Sequence, residues 1–193
     1  VSRTKMSGDS ICVGAFDVDN RRNIRLLNAL GHNHSANFPL QIGNVAVATY
    51  INRAGAVAPH TEDVLLQTHS PCISEKEVIS LINQLANIIE GPITNCFGGR
   101  LFSPDGGAMA IRRNNLSDHS VCFWKANREL ILNRFGKYEY RAERVSTTVK
   151  YVGFQEPLRL IPAGTVLRLS LSRWWNIDDR EKYCWLQLSG WYL

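Results

Sequence analysis

The stretch that most constrains this chain is its end, Pro162 to Leu193, which reads PAGTVLRLSLSRWWNIDDREKYCWLQLSGWYL. Leu167, Leu169 and Leu171 alternate with Arg168, Ser170 and Ser172. Further on, Cys184, Leu186, Leu188 and Tyr192 alternate with Tyr183, Trp185, Gln187, Ser189 and Trp191. A period of two marks half-buried strands. The break from Asn176 to Lys182 carries turn chemistry and leaves no room for a helix. Two such strands commit the C-terminal half to a β architecture.

The second faces of these strands are not plainly polar. Arg168, Ser170, Ser172 and Trp174 stand beside Tyr183, Trp185, Gln187 and Trp191. Flat aromatics interleaved with arginine and small hydroxyls are what a strand face needs to stack bases and hold a phosphate backbone. The competing expectation is that these tryptophans pack beneath a helix or a second domain, because Trp is highly buried on average.

At 193 residues the chain can bury one large core or two small ones. No apolar run approaches membrane-spanning length, so no membrane partner is expected. The opening at Val1 rather than Met reads as that of a trimmed piece. The net charge of +5 suits a polyanionic partner. Much of the excess lies between Lys125 and Lys150, where seven Lys and Arg face three Glu, just ahead of the terminal strands. Cys12, Cys72, Cys96, Cys122 and Cys184 are dispersed and odd in number, with no C-x-x-C pair. That pattern excludes a zinc or redox motif and points to free thiols in a reducing, cytoplasmic setting.

In chain order, Ile11 to Phe16 and Ile24 to Leu27 read as a hairpin around Asp17-Val18-Asp19-Asn20. Val45 to Ile51 and Val64 to Thr68 are further strands. One helix is expected over 74–90: Ser74 and Glu77 form a capping box, and Val78, Leu81, Ile82, Leu85, Ile88 and Ile89 fall on one face before Gly91-Pro92 stops it. Residues 98–107 (GGRLFSPDGG) are the most turn-rich stretch and match no phosphate-cradling motif. A second set of strands follows at 120–124, 137–141 and 147–154, then the terminal pair. The layout is a mainly β chain of two strand sets with one clear helix, duplicated in arrangement but not in sequence.

Catalytic constellations are weak. His32 and His34 share a loop without a third spaced ligand, and Asp17 and Asp19 flank a turn, which is where aspartates ordinarily sit. Asp118-His119-Ser120 places three triad residue types side by side, but neighbours on a strand point to opposite faces. No metal, cofactor or catalytic residue is expected, and a metal-dependent nuclease built on Asp17, Asp19 and a loop histidine is the least favoured reading.

The opening SRTKM, then ICVGAFD, IRLL, IGNV, PHTEDV, SVCFW, VKYVGFQEP, IPAGTVLRLSLSRWW and YCWLQLSGWY together resemble a prokaryotic family described as a dual OB-containing domain. The resemblance covers nearly the whole chain. It implies two small OB-like β-barrels in tandem, often beside other domains, with a role in nucleic-acid-linked processes such as defence against phage. It supplies no catalytic residues.

The sequence therefore predicts two OB-like barrels, over 1–97 (with helix 74–90) and 98–193, acting as a non-enzymatic nucleic-acid-binding module, with single strands the preferred ligand. Arg168, Trp174, Trp185, Gln187 and Trp191 are the expected contacts, with Lys150 and Arg173 as backbone partners and Arg3, Lys5 and Arg25 in the first barrel. The alternative is a protein-interaction or sensor module in which the same Trp and Arg residues anchor a partner.

Overall fold

A computed structural model describes residues 1–6, 8–70, 78–143, 145–175 and 181–193, and the backbone of 73–74. The first half contributes β1 (Ser2–Lys5), β2 (Ser10–Asp17), β3 (Arg22–Leu27), β4 (His34–Ser35), β5 (Asn44–Val45), β6 (Ala48–Asn52), β7 (Asp63–His69) and β8 (Ile73–Ser74). After them come α1 (Val78–Leu85), β9 (Ile88–Ile89), a 3-10 turn at Ile93–Asn95 and one further turn at Cys96–Gly99. The second half holds β10 (Ala110–Ile111), β11 (Val121–Lys125), β12 (Leu130–Leu132), β13 (Lys137–Ala142), β14 (Val145–Tyr151), β15 (Leu160–Ile161), β16 (Val166–Leu171) and β17 (Cys184–Tyr192).

One topology is used twice. In the first sheet β1, β2 and β3 form an antiparallel meander, β3 pairs parallel with β7, and β7 pairs antiparallel with β6. In the second, β12, β13 and β14 form the meander, β14 pairs parallel with β17, and β17 pairs antiparallel with β16. The strand that pairs parallel with the meander carries a bulge in both. Gln67 is skipped between the pairs Thr49–Thr68 and Tyr50–Leu66, and Ser189 between Leu169–Leu188 and Arg168–Gly190. The second sheet curls back on itself, since β11 pairs with β16 while β12, just beyond it in the chain, pairs with β13.

The cores follow the alternation of the strands. Leu167, Leu169, Leu171, Leu186 and Leu188 face inward with Trp124, Tyr138 and Tyr140 in the second barrel. Ile11, Val13, Ile24, Leu26, Val64 and Leu66 do so in the first.

The helix is shorter than its apolar periodicity predicted. It ends at Leu85, and Ile88–Ile89 leaves the helical path to pair parallel with Phe123–Trp124. Two consecutive β-branched residues suit that strand. The expected cap residue Ser74 lies in a two-residue strand against Asn44, and Glu77 lies outside the described residues. Nor does α1 belong to the first core. Its buried Ile82 packs on Phe123 and Val166 of the second sheet. The plug of the second barrel is the segment after it, where Ile93, Cys96 and Phe97 are fully buried and Gly91 O accepts the Trp124 indole N–H at 3.0 Å. Residues 88–97, expected in the first unit, thus build the second.

The two units share a polar seam. Lys5 N donates to Val152 O at 2.8 Å. Glu62 accepts from the backbone N–H of Ser120, from Ser120 Oγ at 2.9 Å and from Val121 N at 2.9 Å. Asp63 is buried among three guanidiniums: Arg25, Arg53 at 3.2 Å and Arg173 at 2.8 Å. Phe16 meets Phe123 edge-on at 5.7 Å.

Candidate nucleic-acid interface

Arg168, Trp185 and Gln187 share one face of the terminal strand pair, as their alternation predicted, but that face is covered. Arg168 is 3% exposed. Its guanidinium reaches across the seam to Ser2 Oγ at 2.7 Å and Asn23 Oδ1 at 3.4 Å, and burial lowers its pKa. Trp185 is 8% exposed, sits opposite Ala110 of β10, and meets Tyr183 edge-on at 5.6 Å.

Trp191 is not on this face at all. Skipping Ser189 reverses the alternation, so Trp191 pairs with Leu167 and enters the core at 5% exposure, against Tyr138 and Tyr151. Tyr192 is turned outward instead, toward Phe123. A β-bulge does this because one extra residue in one strand shifts every later side chain to the other side. The expected stacking surface of Arg168, Trp185 and Trp191 therefore does not exist.

The first-barrel residues divide similarly. Arg3 is buried and donates to Ala36 O at 2.7 Å and to Gln41, while Arg25 is committed to Asp63. Lys5 is exposed beside Phe154, at 5.6 Å from its ring centroid. Lys150 is exposed in register with Gln187, which is half-buried. Trp174 and Arg173 lie beyond the end of β16, where the chain emerges from the sheet.

That edge carries a different aromatic and basic surface. Trp175 is 45% exposed and is held by two backbone hydrogen bonds to Tyr183, at 3.0 and 3.2 Å. Ser172 steadies the base of the same ladder, its Oγ accepting the Trp185 N–H at 2.8 Å. Phe102 meets Tyr183 edge-on at 5.3 Å. The Arg112 guanidinium carbon lies 3.9 Å over the Phe102 ring, and that of Arg113 lies 5.3 Å over Trp174. Both arginines are exposed, and an Arg over an aromatic face is a cation–π arrangement that keeps the guanidinium flat against the surface. Arg53 and Arg173, each about half exposed, lie on Asp63, where three guanidiniums against one carboxylate leave a local excess of two charges.

Phe102, Arg112, Arg113, Trp175 and Tyr183 were not singled out from the sequence as a group. Trp174-Trp175 at a strand end and Arg112-Arg113 after a short apolar pair were the available signals. Nothing in their spacing shows that the 100–113 segment folds against Trp174 and Tyr183.

The groups weighed for catalysis have structural work. The Asp17 carboxylate accepts from Asp19 N, Asn20 N, Asn20 Nδ2 and Tyr50 Oη. Partial burial raises its pKa, but these hydrogen bonds outweigh that and hold it below the usual value. His34 is buried and stacked on Phe38 at 3.8 Å, while His32 is exposed. Asp118 pairs with His119 at 2.6 Å, whose hydrogen bond and charge lower its pKa, and Ser120 is turned away to Glu62.

His60 Nε2 lies 3.8 Å from Cys184 Sγ, a nucleophile–base geometry in outline. Burial pushes the thiol up to about 12 and the imidazole down to about 4, so neither thiolate nor imidazolium forms near neutral pH. An activated cysteine needs the opposite shift. Cys96 and Cys122 are also buried free thiols, Cys12 is a half-buried one, and Cys72 lies outside the described residues. No helix among the described residues is long and apolar enough to cross a membrane.

Two short-stranded, curled β units of the same strand order define a tandem OB-like β protein. The chain belongs to the family described as the Dual OB-containing domain, whose model matches residues 2–191. No curated protein and no solved structure matches it.

Proposed function

We propose that this chain is a non-enzymatic nucleic-acid-binding module, an accessory unit of a larger system, that takes single strands on the ledge of Phe102, Trp174, Trp175 and Tyr183. The observation that carries this reading is the pairing of exposed Trp175 with Arg112 and Arg113, each laid over a ring at the same edge. A base has a π-face for Trp175 whatever its identity, and guanidiniums beside it meet the phosphates. Family membership supports it, because strands and loops at one side of an OB barrel are a common oligonucleotide surface.

Fluorescence anisotropy with a labelled oligothymidylate, titrated at several salt concentrations, tests the reading. Trp175→Ala should weaken binding by about 1–3 kcal/mol, the usual worth of one base–aromatic stack. Arg112→Ala should weaken it and reduce the slope of log affinity against log salt by about 0.7, the value for one phosphate contact on a single strand. If the wild-type protein binds neither single- nor double-stranded nucleic acid at low salt, the reading fails and the ledge becomes an anchor for a protein partner.

A further inference from the structure

The first barrel has a packed floor with an open hollow beside it, where the second is filled. Trp124, Tyr138 and Tyr140 fill the interior of the second, whereas the first turns Ala15, Ala46 and Ala48 toward its centre. Its sheet ends at β1 and β6, and no pairing joins these edges among the described residues. A cavity of about 830 Å³ results, bounded by this sheet, by α1, and by Phe123, Arg168 and Tyr192 on the outer face of the second sheet. Small barrels are ordinarily filled by their own side chains, and protein interiors hold few voids larger than a water. A mostly apolar space of this size falls instead in the range of small-molecule pockets. Its rim is apolar as well, since Val18, Val45 and Val47 are exposed there, Val47 at 79%.

Arg168 stands in the cavity wall, which Val1, Asp17 and Asp19 also line. Arg168 has only neutral hydrogen-bond partners, Ser2 Oγ and Asn23 Oδ1, and no carboxylate lies within 4 Å of it among the described residues. Room for it is made by Gly14, at which a Cβ would lie 2.5 Å from a guanidinium nitrogen. The Asp17 carboxylate on the same cavity is already engaged by Tyr50, Asn20 and two backbone N–H groups. Glu62 acts on Arg168 only from beyond contact distance. A guanidinium removed from water with no carboxylate in contact is costly, and a planar oxyanion meeting its fork is the arrangement that offsets the cost.

We infer that the hollow of the first barrel binds a small amphipathic acid, with its apolar body among Ile24, Leu26, Leu40, Leu81 and Ile82 and its single oxyanion on Arg168. The inference is independent of the nucleic-acid ledge, which lies on other residues.

Isothermal titration of the whole chain at pH 7.5 with decanoate, with decanol and with inorganic phosphate tests it, each below its aggregation limit. Decanoate should bind one per chain and roughly ten- to hundred-fold more tightly than decanol, the worth of charge-assisted hydrogen bonds to one guanidinium. Phosphate, lacking an apolar body, should show no measurable binding. Arg168→Met removes the charge but keeps much of the length, and should bring decanoate and decanol level. Ala48→Leu, which fills the cavity without touching the charge, should weaken both. Arg112→Ala should leave decanoate binding unchanged. The inference is overturned if wild type binds neither amphiphile, if decanol matches decanoate, or if Ala48→Leu binds both as wild type does.

Discussion

Acidification should loosen this fold through one buried histidine. His60 is 4% exposed, and its pKa is lowered to about 4, first by burial and then by the nearby charge of Arg25, with Asp63 and a backbone hydrogen bond involving Ser172 acting the other way. In the unfolded chain the same imidazole titrates near 6.5. Below that pH the unfolded state takes up a proton that the folded state refuses, so stability falls as the pH drops from about 6.5 to about 4 and levels off beneath. A depression of that size is worth about 3 kcal/mol across the window, at 1.36 kcal/mol per pH unit. For a chain of this length that corresponds to a fall in Tm of roughly 6–12 °C.

The assay is thermal unfolding followed by circular dichroism in steps from pH 7.5 to pH 4, for wild type and His60→Gln. His34, whose pKa is lowered by burial and by His69, contributes to both profiles, so the difference between them isolates His60. Whatever the substitution costs at pH 7.5, its curve should be flatter between 6.5 and 4. Parallel curves would refute the argument that burial keeps this imidazole neutral.

Two further outcomes check the placement of the terminal strands and the seam. Trp191→Ala should cost about 3–5 kcal/mol in chemical denaturation, as for other buried aromatics, and leave oligonucleotide affinity unchanged where the protein is still folded. Asp63→Asn should lower stability by about 3–5 kcal/mol, because it leaves the largely buried Arg25 without its counter-charge, whereas Arg53→Ala, at a half-exposed partner, should cost under about 1 kcal/mol by the same measurement.

What the sequence determined by itself was the local and periodic part. Alternation fixed Leu167, Leu169, Leu171, Leu186 and Leu188 as one inward face, because a strand places every second side chain on the same side whatever surrounds it. The order of short strands and turns carried two strand sets, and the resemblance of the motifs carried the tandem OB-like architecture and the family. Apolar spacing found α1 but ran past its end, since a short apolar run such as Ile88–Ile89 fits a helix face and a buried strand equally well. β1 was missed because its sequence, SRTK, is polar and is nonetheless buried at Ser2 and Arg3 by the seam.

Which of the candidate residues are buried was set by contacts between distant segments. The bulge at Ser189 sent Trp191 into the core, and Gly190 beside it was the only local sign of an irregular strand. Arg168 left the solvent because the first barrel docks on its face, bringing Ser2 and Asn23, 166 and 145 residues away in sequence, to its guanidinium. Whether a side chain on a strand's second face meets water or another sheet depends on packing between distant segments. The period of the strand reports which residues share a face, and only the assembled barrels show which faces stay open.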